Sequence, residues 1–516
     1  MPNRSTDALF QLIKSLEKSE KRNFKLYVNR NSGSEDLKIV QLFDALDKME
    51  EYDEVLLLKK TRNLQKQQLS NIKAHLYRNI LSSLRILKDT DNIDLQLHEQ
   101  MDYARILYNK GLYHQALKVL DRLKDTARTY NQFTYQMQAI FFEKKIEALH
   151  ITRSMQDRAE RLSFEASEVV AKLDTVTVLS NLSLLLYSWY IRNGHARNEN
   201  EVQRLTDYLQ EQLPAEAHQL DGFYEKLYLY QSYCWYSFIR QDFLMYYRYA
   251  QKWVDLFEKN EDMKFVESGN YIKGIHNLLG AHFDLQNYAK FNEELAKFEQ
   301  LANSKVILQN ENNRIQFFIY LSISKINKHF MEGTFTEGLQ MVPYIEEHLK
   351  EYHLYLDRHR VLVFYYKIAS LYFGSGDYEN TIEYLNRIIN WKVDLRTDLQ
   401  CYSRLLHLIA HYELGNYELI EYLAKSVYRF MAKMENLSLV EEYIFEFLKQ
   451  SLRSSQAMIR KQFRELYEKL KVQEMNVHEA RAFAYLDILS WLESKINNVP
   501  VQEIIRRKYL EKNVEM

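Results

Sequence analysis

Proline and glycine are scarce in this chain of 516 residues, with 4 and 12 occurrences. Both interrupt or weaken helices, so their rarity favours long helical runs, and Leu, Lys, Glu, Gln and Arg fill the intervals with good helix formers. The same composition disfavours a large sheet, and a nearly all-α chain is expected. There are two cysteines, Cys234 and Cys401. They are too few for a disulfide framework or a thiolate metal site, and they suit a reducing interior, which points to the cytoplasm. Charge of one sign is also lacking. With 69 Lys and Arg against 70 Asp and Glu, the net charge is -1, so no global field favours nucleic acid or an anionic membrane as the main partner. Only local patches remain open to such partners. At the N-terminus, MPNRSTDALFQLIKSLEKSEKR has charges interrupting every apolar run, unlike a signal peptide. The most apolar region, Leu182 to Ile191, is shorter than the ~20 residues that span a bilayer, so a soluble chain without membrane insertion is expected. Nucleotide-binding glycine motifs, H-E-x-x-H and G-x-S-x-G are missing, and the few glycines fall at turns. No enzymatic activity, cofactor or metal is expected.

What the chain does contain is a repeated pattern. Tyr365 to Ile389 reads as a helix, a Gly-Asp-Tyr turn and a second helix. Related turns occur at Lys110-Gly111-Leu112-Tyr113, Arg240-Gln241-Asp242-Phe243, Leu285-Gln286-Asn287-Tyr288, Glu332-Gly333-Thr334-Phe335 and Leu414-Gly415-Asn416-Tyr417. With further turns at Gly194 and near Ser154, the interval is about forty residues, the mark of stacked helical hairpins. The repeats occupy roughly residues 93–450. Residues 1–92 predict an N-terminal cap of about four helices, and 451–516 a C-terminal helical cap that covers the last apolar face. In the clearest unit, Tyr365, Ile368, Ala369 and Tyr372 form one stripe, and Ile382, Leu385, Ile388 and Ile389 the facing one. Ala369 and Thr381 are small where the two helices must approach.

This arrangement of aromatic and small residues resembles the tetratricopeptide repeat, as does the unit Tyr103, Ala104, Gly111, Tyr113, Ala116, Leu120 and Leu123. The interval exceeds the ~34 residues of the standard repeat, so helices or connections are longer. The opening Leu9 to Leu16 with Ser19 to Arg22 also looks like that of uncharacterised bacterial repeat proteins. The resemblance implies a right-handed α-α superhelix whose first helices line a concave, peptide-binding face. Projection from each turn places Arg105, Tyr108, Tyr228, Gln231, Trp235, Phe238, Phe283, Tyr366, Tyr402 and Tyr412 on that face. Aromatic anchors give large contact area for little entropy loss, and packing between helices is the competing assignment for each.

Other clusters have plainer assignments. Phe223 to Phe257 is rich in aromatics interleaved with Arg240, Arg248 and Lys252, but they occupy both stripes of a helix pair, as in a crowded core. From Val55 to Lys88 the chain has no acidic residue, and Lys59, Lys60, Arg62, Lys66, Lys73, Arg78, Arg85 and Lys88 form a basic stretch. Such a helix could bind RNA, an acidic protein or anionic lipid, or be balanced by neighbouring acids. His407 and His411 have the i, i+4 spacing of metal ligands but no completing carboxylate or cysteine, and packing accounts for them. His348, His353 and His359 are expected at the surface. The favoured function is a non-enzymatic adaptor or assembly scaffold that holds a peptide or helix of a partner protein. The alternatives are a nucleic-acid-associated factor using residues 59–88 and a regulatory sensor responding to a ligand or peptide.

Overall fold

The computed structural model describes residues 7–30, 34–61, 66–87, 92–150, 157–391, 396–435, 437–452, 454–474, 476, 479, 482–483 and 487–514. Every regular element among them is helical. Arg62, Lys88 and the turn near Ser154 lie outside the described residues. The chain divides into two compact units, residues 1–169 and 170–516.

In unit 1, α1 (Ala8–Ser15), α2 (Lys18–Arg30), α3 (Ser34–Asp47), α4 (Glu54–Lys60) and α5 (Lys66–Leu87) enclose a core of Leu9, Ile13, Phe24, Leu42, Phe43, Leu46, Leu76 and Ile80. Five helices thus stand where about four were expected. The extra one, α4, begins because the Asp53 carboxylate accepts from the Val55 and Leu56 amides, a local cap that hydrophobic periodicity does not register. Next come α6 (Ile93–Asn109), α7 (Tyr113–Thr129) and α8 (Phe133–Leu149), which bury Leu97, Ala104, Ala116, Leu120, Leu123 and Ile146. The Lys124 ammonium sits 2.6 Å from the fully buried Glu143 carboxylate and 3.2 Å from Glu165, tying α7 to α8 and to α9 (Arg158–Asn193).

α9 corrects one expectation. It contains an 18-residue window of mean hydropathy 1.5, so one helix is long and apolar enough to meet the length and composition test for a membrane span. The sequence reading missed it because Thr and Ser separate its leucines. Leu179, Leu182 and Leu186 are buried, whereas Leu184 is 64% exposed.

After α10 (Glu199–Gln212), unit 2 continues as pairs. These are α11 (Phe223–Ile239) with α12 (Phe243–Glu258), and, after the short α13 (Met263–Val266), α14 (Ser268–Asp284) with α15 (Tyr288–Gln300). The short α16 (Lys305–Leu308) leads into α17 (Glu311–Glu332), paired through α18 (Phe335–Gly338) with α19 (Val342–Glu351). Then follow α20 (Arg358–Ser375) with α21 (Tyr378–Ile389), and α22 (Thr397–Glu413) with α23 (Tyr417–Lys433). α24 (Leu439–Ser451), α25 (Gln456–Gln473), α26 (Ile488–Asn497) and α27 (Val501–Val514) complete the unit. Each pair packs on the next, α12 on α14, α14 on α17, α17 on α20 and α21 on α22, while α27 returns to pack on α17 and α20.

The turns explain the sequence pattern. Gly111, Gln241, Gln286, Gly333, Gly376 and Gly415 all have left-handed backbone, with φ of 76°, 61°, 54°, 67°, 88° and 74°. The next residue's N–H then reaches five residues back, as from Asp242 to Ser237 O, Asn287 to His282 O and Asp377 to Tyr372 O, each at 2.9 Å. This six-to-one bond satisfies a carbonyl otherwise orphaned at the helix end. The same Asp242, Asn287 and Asp377 cap the following helix by accepting from Met245, Lys290 and Asn380 N at 3.1, 3.3 and 3.1 Å. The reversals at Gln241, Gln286 and Gly376 combine turn residue, side-chain cap and aromatic, whereas Leu112, Thr334 and Asn416 precede their helices without a side-chain cap bond. Ala369 and Thr381 are fully buried at the close contact of their hairpin.

Two glycines separate backbone strain from crowding. A Cβ on Gly376 would meet nothing within 4 Å, whereas one on Gly333 would lie 2.4 Å from the Arg506 amide nitrogen. Gly376→Ala should therefore cost about 1–2 kcal/mol through φ alone, and Gly333→Ala visibly more. Gln286→Gly should stabilise by up to about 1 kcal/mol. Midpoints of urea unfolding for the three variants check this ordering.

Candidate binding interior of unit 2

Helical spacing gathers side chains of several first helices toward one region. On α14, Lys273, Asn277, Gly280 and Asp284 share a stripe, as do Arg360 and Lys367 on α20 and Tyr320 and Asn327 on α17. The Lys273 ammonium lies 4.4 Å from the Tyr187 ring of α9 and 5.1 Å from the Trp235 ring of α11. Lys367 donates to Asn327 Oδ1 at 2.6 Å and lies 5.3 Å from the Phe330 ring. His276 stacks on Tyr320 at 4.2 Å between centroids.

The ends of this run of helices join. The Arg396 amide donates to Ile191 O at 3.3 Å, and Thr397 Oγ1 to Arg192 O at 3.4 Å, linking the end of α9 to the start of α22. Arg396 bonds to the Asp398 carboxylate at 2.7 to 3.0 Å, and its guanidinium lies 5.1 Å from the Tyr190 ring. Gly194 is required here, since a Cβ on it would sit 2.7 Å from Asp398 Oδ2.

The electrostatics are those of an enclosed space that water still reaches. Lys273, His276, Asp284 and Lys367 all retain some solvent-accessible surface, yet burial leads every shift among them. Burial, reinforced by the Arg360 charge, lowers Lys273 to about 8. Lys367 is also lowered to about 8 by burial, against the opposing pull of Asp284. His276 falls to about 3 through burial and then the charges of Lys367, Lys273 and Arg360, so it is neutral at ordinary pH. Burial raises Asp284 to about 7, with Lys367 restraining the rise. The Nδ1 atoms of His276 and His359 and Oε1 of Gln316 have no hydrogen-bond partner among the described residues.

Several residues singled out in the sequence lie in or beside this interior. Trp235 is buried against Tyr187 and Tyr190. Gln231 is buried, accepts from Ser183 Oγ and donates to Asn270 Oδ1. Tyr228 is half-buried beside Tyr224, Phe238 packs on Tyr190 and His195, and Phe283 lies 5.9 Å from Lys367 Nζ. Tyr366 is buried and its hydroxyl is pushed well up by burial. Tyr402 is buried and donates to Glu441 Oε1, and Tyr412 is buried among Tyr417, Phe447 and Phe463. In unit 1, Arg105 is exposed beside Asp102, and Tyr108 packs on Tyr113 and Phe142. Lys273, Arg360, Lys367, His276 and Asp284 escaped the sequence reading. Lys273 and Lys367 each stand as a lone cation inside an apolar run, Tyr271 to Ile275 and Val363 to Leu371, whereas no such pattern marks Arg360, His276 or Asp284.

The basic stretch of unit 1 is partly balanced. Lys73 pairs with Asp7 and donates to the Tyr52 hydroxyl, and Arg85 lies 3.0 Å from Asp102. Lys66 and Lys73 line a cavity of about 510 Å³ together with Asp7 and Glu54. Lys59 and Arg78 are exposed, and Arg78 Nε reaches Ala74 O.

His407 and His411 stand 4.5 Å apart between ring centroids, with burial lowering His407 to about 4. No group of three metal-ligating side chains is found among the described residues. His353 is exposed, as expected, but His348 stacks on Phe318. His359 is half-buried, lowered to about 4 by burial and the Arg396 charge, which places it by the interior rather than at the open surface. The Cys234 thiol is buried and pushed up by that burial, consistent with packing. In Phe223 to Phe257 the buried Phe223, Trp253 and Phe257 belong to the main core.

Asp284 gives a pH test. Its carboxyl is protonated more readily in the folded chain, at about 7 against an ordinary 3.8, so its share of stability is lost as pH rises through that window. Asp284→Asn should raise the thermal midpoint relative to the parent chain, by more at about pH 8 than at about pH 5. Calorimetric scans at both values check the sign.

No protein-family model matches this chain, and no curated protein matches its sequence.

Proposed function

We propose that this is a non-enzymatic interaction protein, an adaptor or assembly scaffold that holds a segment of a partner protein against the inward faces of the first helices of unit 2. In this reading the hairpins continue as a tetratricopeptide-like right-handed superhelix, and binding follows from its architecture. The observation that carries it is the presence of solvent-reached aromatic and polar side chains on successive first helices: Tyr228 on α11, Asn270 and Phe283 on α14, and Lys367 on α20. A dry core would not keep such groups partly hydrated. Aromatic side chains flanked by hydrogen-bonding groups are the usual anchors of a protein interface. Nucleic-acid binding by residues 59–88 has less support, because Asp7 and Asp102 already neutralise Lys73 and Arg85.

Selection from a displayed random peptide library on the full chain tests the proposal. Tyr228→Ala and Phe283→Ala, both at half-buried positions, should weaken the selected peptides by about tenfold or more while far-ultraviolet circular dichroism stays unchanged. Failure to enrich any peptide, or binding by both variants as tight as that of the parent chain, would refute the assignment of this face.

A further inference from the structure

Among the described residues, the interior of unit 2 carries more positive charge than its carboxylates neutralise. Arg396 is committed to Asp398 through bonds of 2.7 to 3.0 Å. Among the described residues, Lys273 and Lys367 have no carboxylate oxygen within 4.0 Å. Arg360 lies 3.8 Å from Asp357 through Nε and also donates to the Tyr320 hydroxyl. Asp284, the remaining acid near Lys367, is itself held partly protonated by burial.

An ammonium removed from bulk water without a counter-charge costs several kcal/mol, so two such groups, on α14 and α20 either side of α17, call for an explanation beyond packing. Ring faces meet Lys273, and a neutral amide oxygen meets Lys367. Neither supplies a full negative charge. Beside them the neutral His276 has an unpartnered Nδ1. The bonds from Arg396 to Ile191 and from Thr397 to Arg192 tie the end of α9 to the start of α22.

We propose that the interior of unit 2 binds a small organic anion, whose phosphate or carboxylate groups are held by Lys273, Arg360 and Lys367 and whose body lies against Tyr187 and Tyr320. Two ammonium groups supply compact point charges, and the guanidinium supplies a planar fork suited to either oxyanion. The rings give flat apolar walls that also favour a charge-bearing ligand over bulk water. This site goes beyond the adaptor reading and does not depend on it, since the anion occupies the charged depth of the unit whether or not a protein segment docks.

The test uses the full chain with inorganic phosphate and with citrate, each compared with chloride at matched ionic strength to remove general screening. Either anion should raise the thermal midpoint, and titration calorimetry should show binding that weakens by about tenfold or more in Lys273→Gln and in Lys367→Gln. Arg78→Gln in unit 1 should leave it unchanged. A response to phosphate alone assigns a phosphate ligand, and a response to citrate alone a carboxylate ligand. If neither exceeds chloride, or if binding survives in both lysine variants, the proposal is overturned. Should the variants fail to fold, titration of the parent chain decides: binding must fall sharply between about pH 7 and about pH 10, as the two lysines lose their protons, and binding that persists refutes it.

Discussion

Everything in the repeated part of this protein depends on how one helix ends and the next begins. A left-handed residue tips the chain over, the following N–H bonds five residues back, and at Asp242, Asn287 and Asp377 that same residue's side chain caps the new helix. One short segment therefore satisfies the carbonyl end of one helix and the amide end of another. Because the geometry repeats, each reversal lays the second helix against the first, and each pair packs on the next. Gln241 and Gln286 adopt the left-handed conformation without being glycine, which shows that the surrounding hydrogen bonds outweigh a local steric cost.

The inward stripes are not uniformly apolar. Lys273, Lys367, Arg360 and Arg396 stand among tyrosines and Trp235, with Asp284 and Asp398 as nearby acids. The ionisation of Lys273, Lys367 and Asp284 responds first to burial and only then to neighbouring charges, so enclosure, rather than any single pair, sets their chemistry. Where the ends of the run join, Arg396 and Asp398 form a pair that is 6% and 4% exposed in its side chains. That pair lies within one segment, and the contacts to α9 are made by the Arg396 amide on Ile191 O and Thr397 Oγ1 on Arg192 O.

Unit 1 handles charge differently. Lys124 is held by Glu143 and Glu165, Lys73 by Asp7 and Arg85 by Asp102, so cations there meet acids from other helices. A stretch that lacks acids in sequence thus gains them in space. The contrast with the lysines of unit 2 gives those unpaired groups their meaning.

The sequence by itself determined the helical class, the six hairpin turns and the small-residue contacts at Ala369 and Thr381, because these rest on interactions within a few residues or between adjacent helices. It also indicated the aromatic core of Phe223 to Phe257, since side chains on both stripes of a helix pair have nowhere else to go. Only the tertiary structure decided which inward residues stay hydrated. Tyr228 and Tyr402 occupy comparable positions in the repeat pattern, yet one is half-buried and the other is 1% exposed and bonded to Glu441. Nor could local pattern place Lys273 beside Tyr187, or Arg396 beside Ile191, since those contacts depend on how the small rotations of successive pairs accumulate. A lysine inside an apolar run is the same word in the sequence whether it reaches solvent or an enclosed interior, and only the sum of many packing angles tells the two apart.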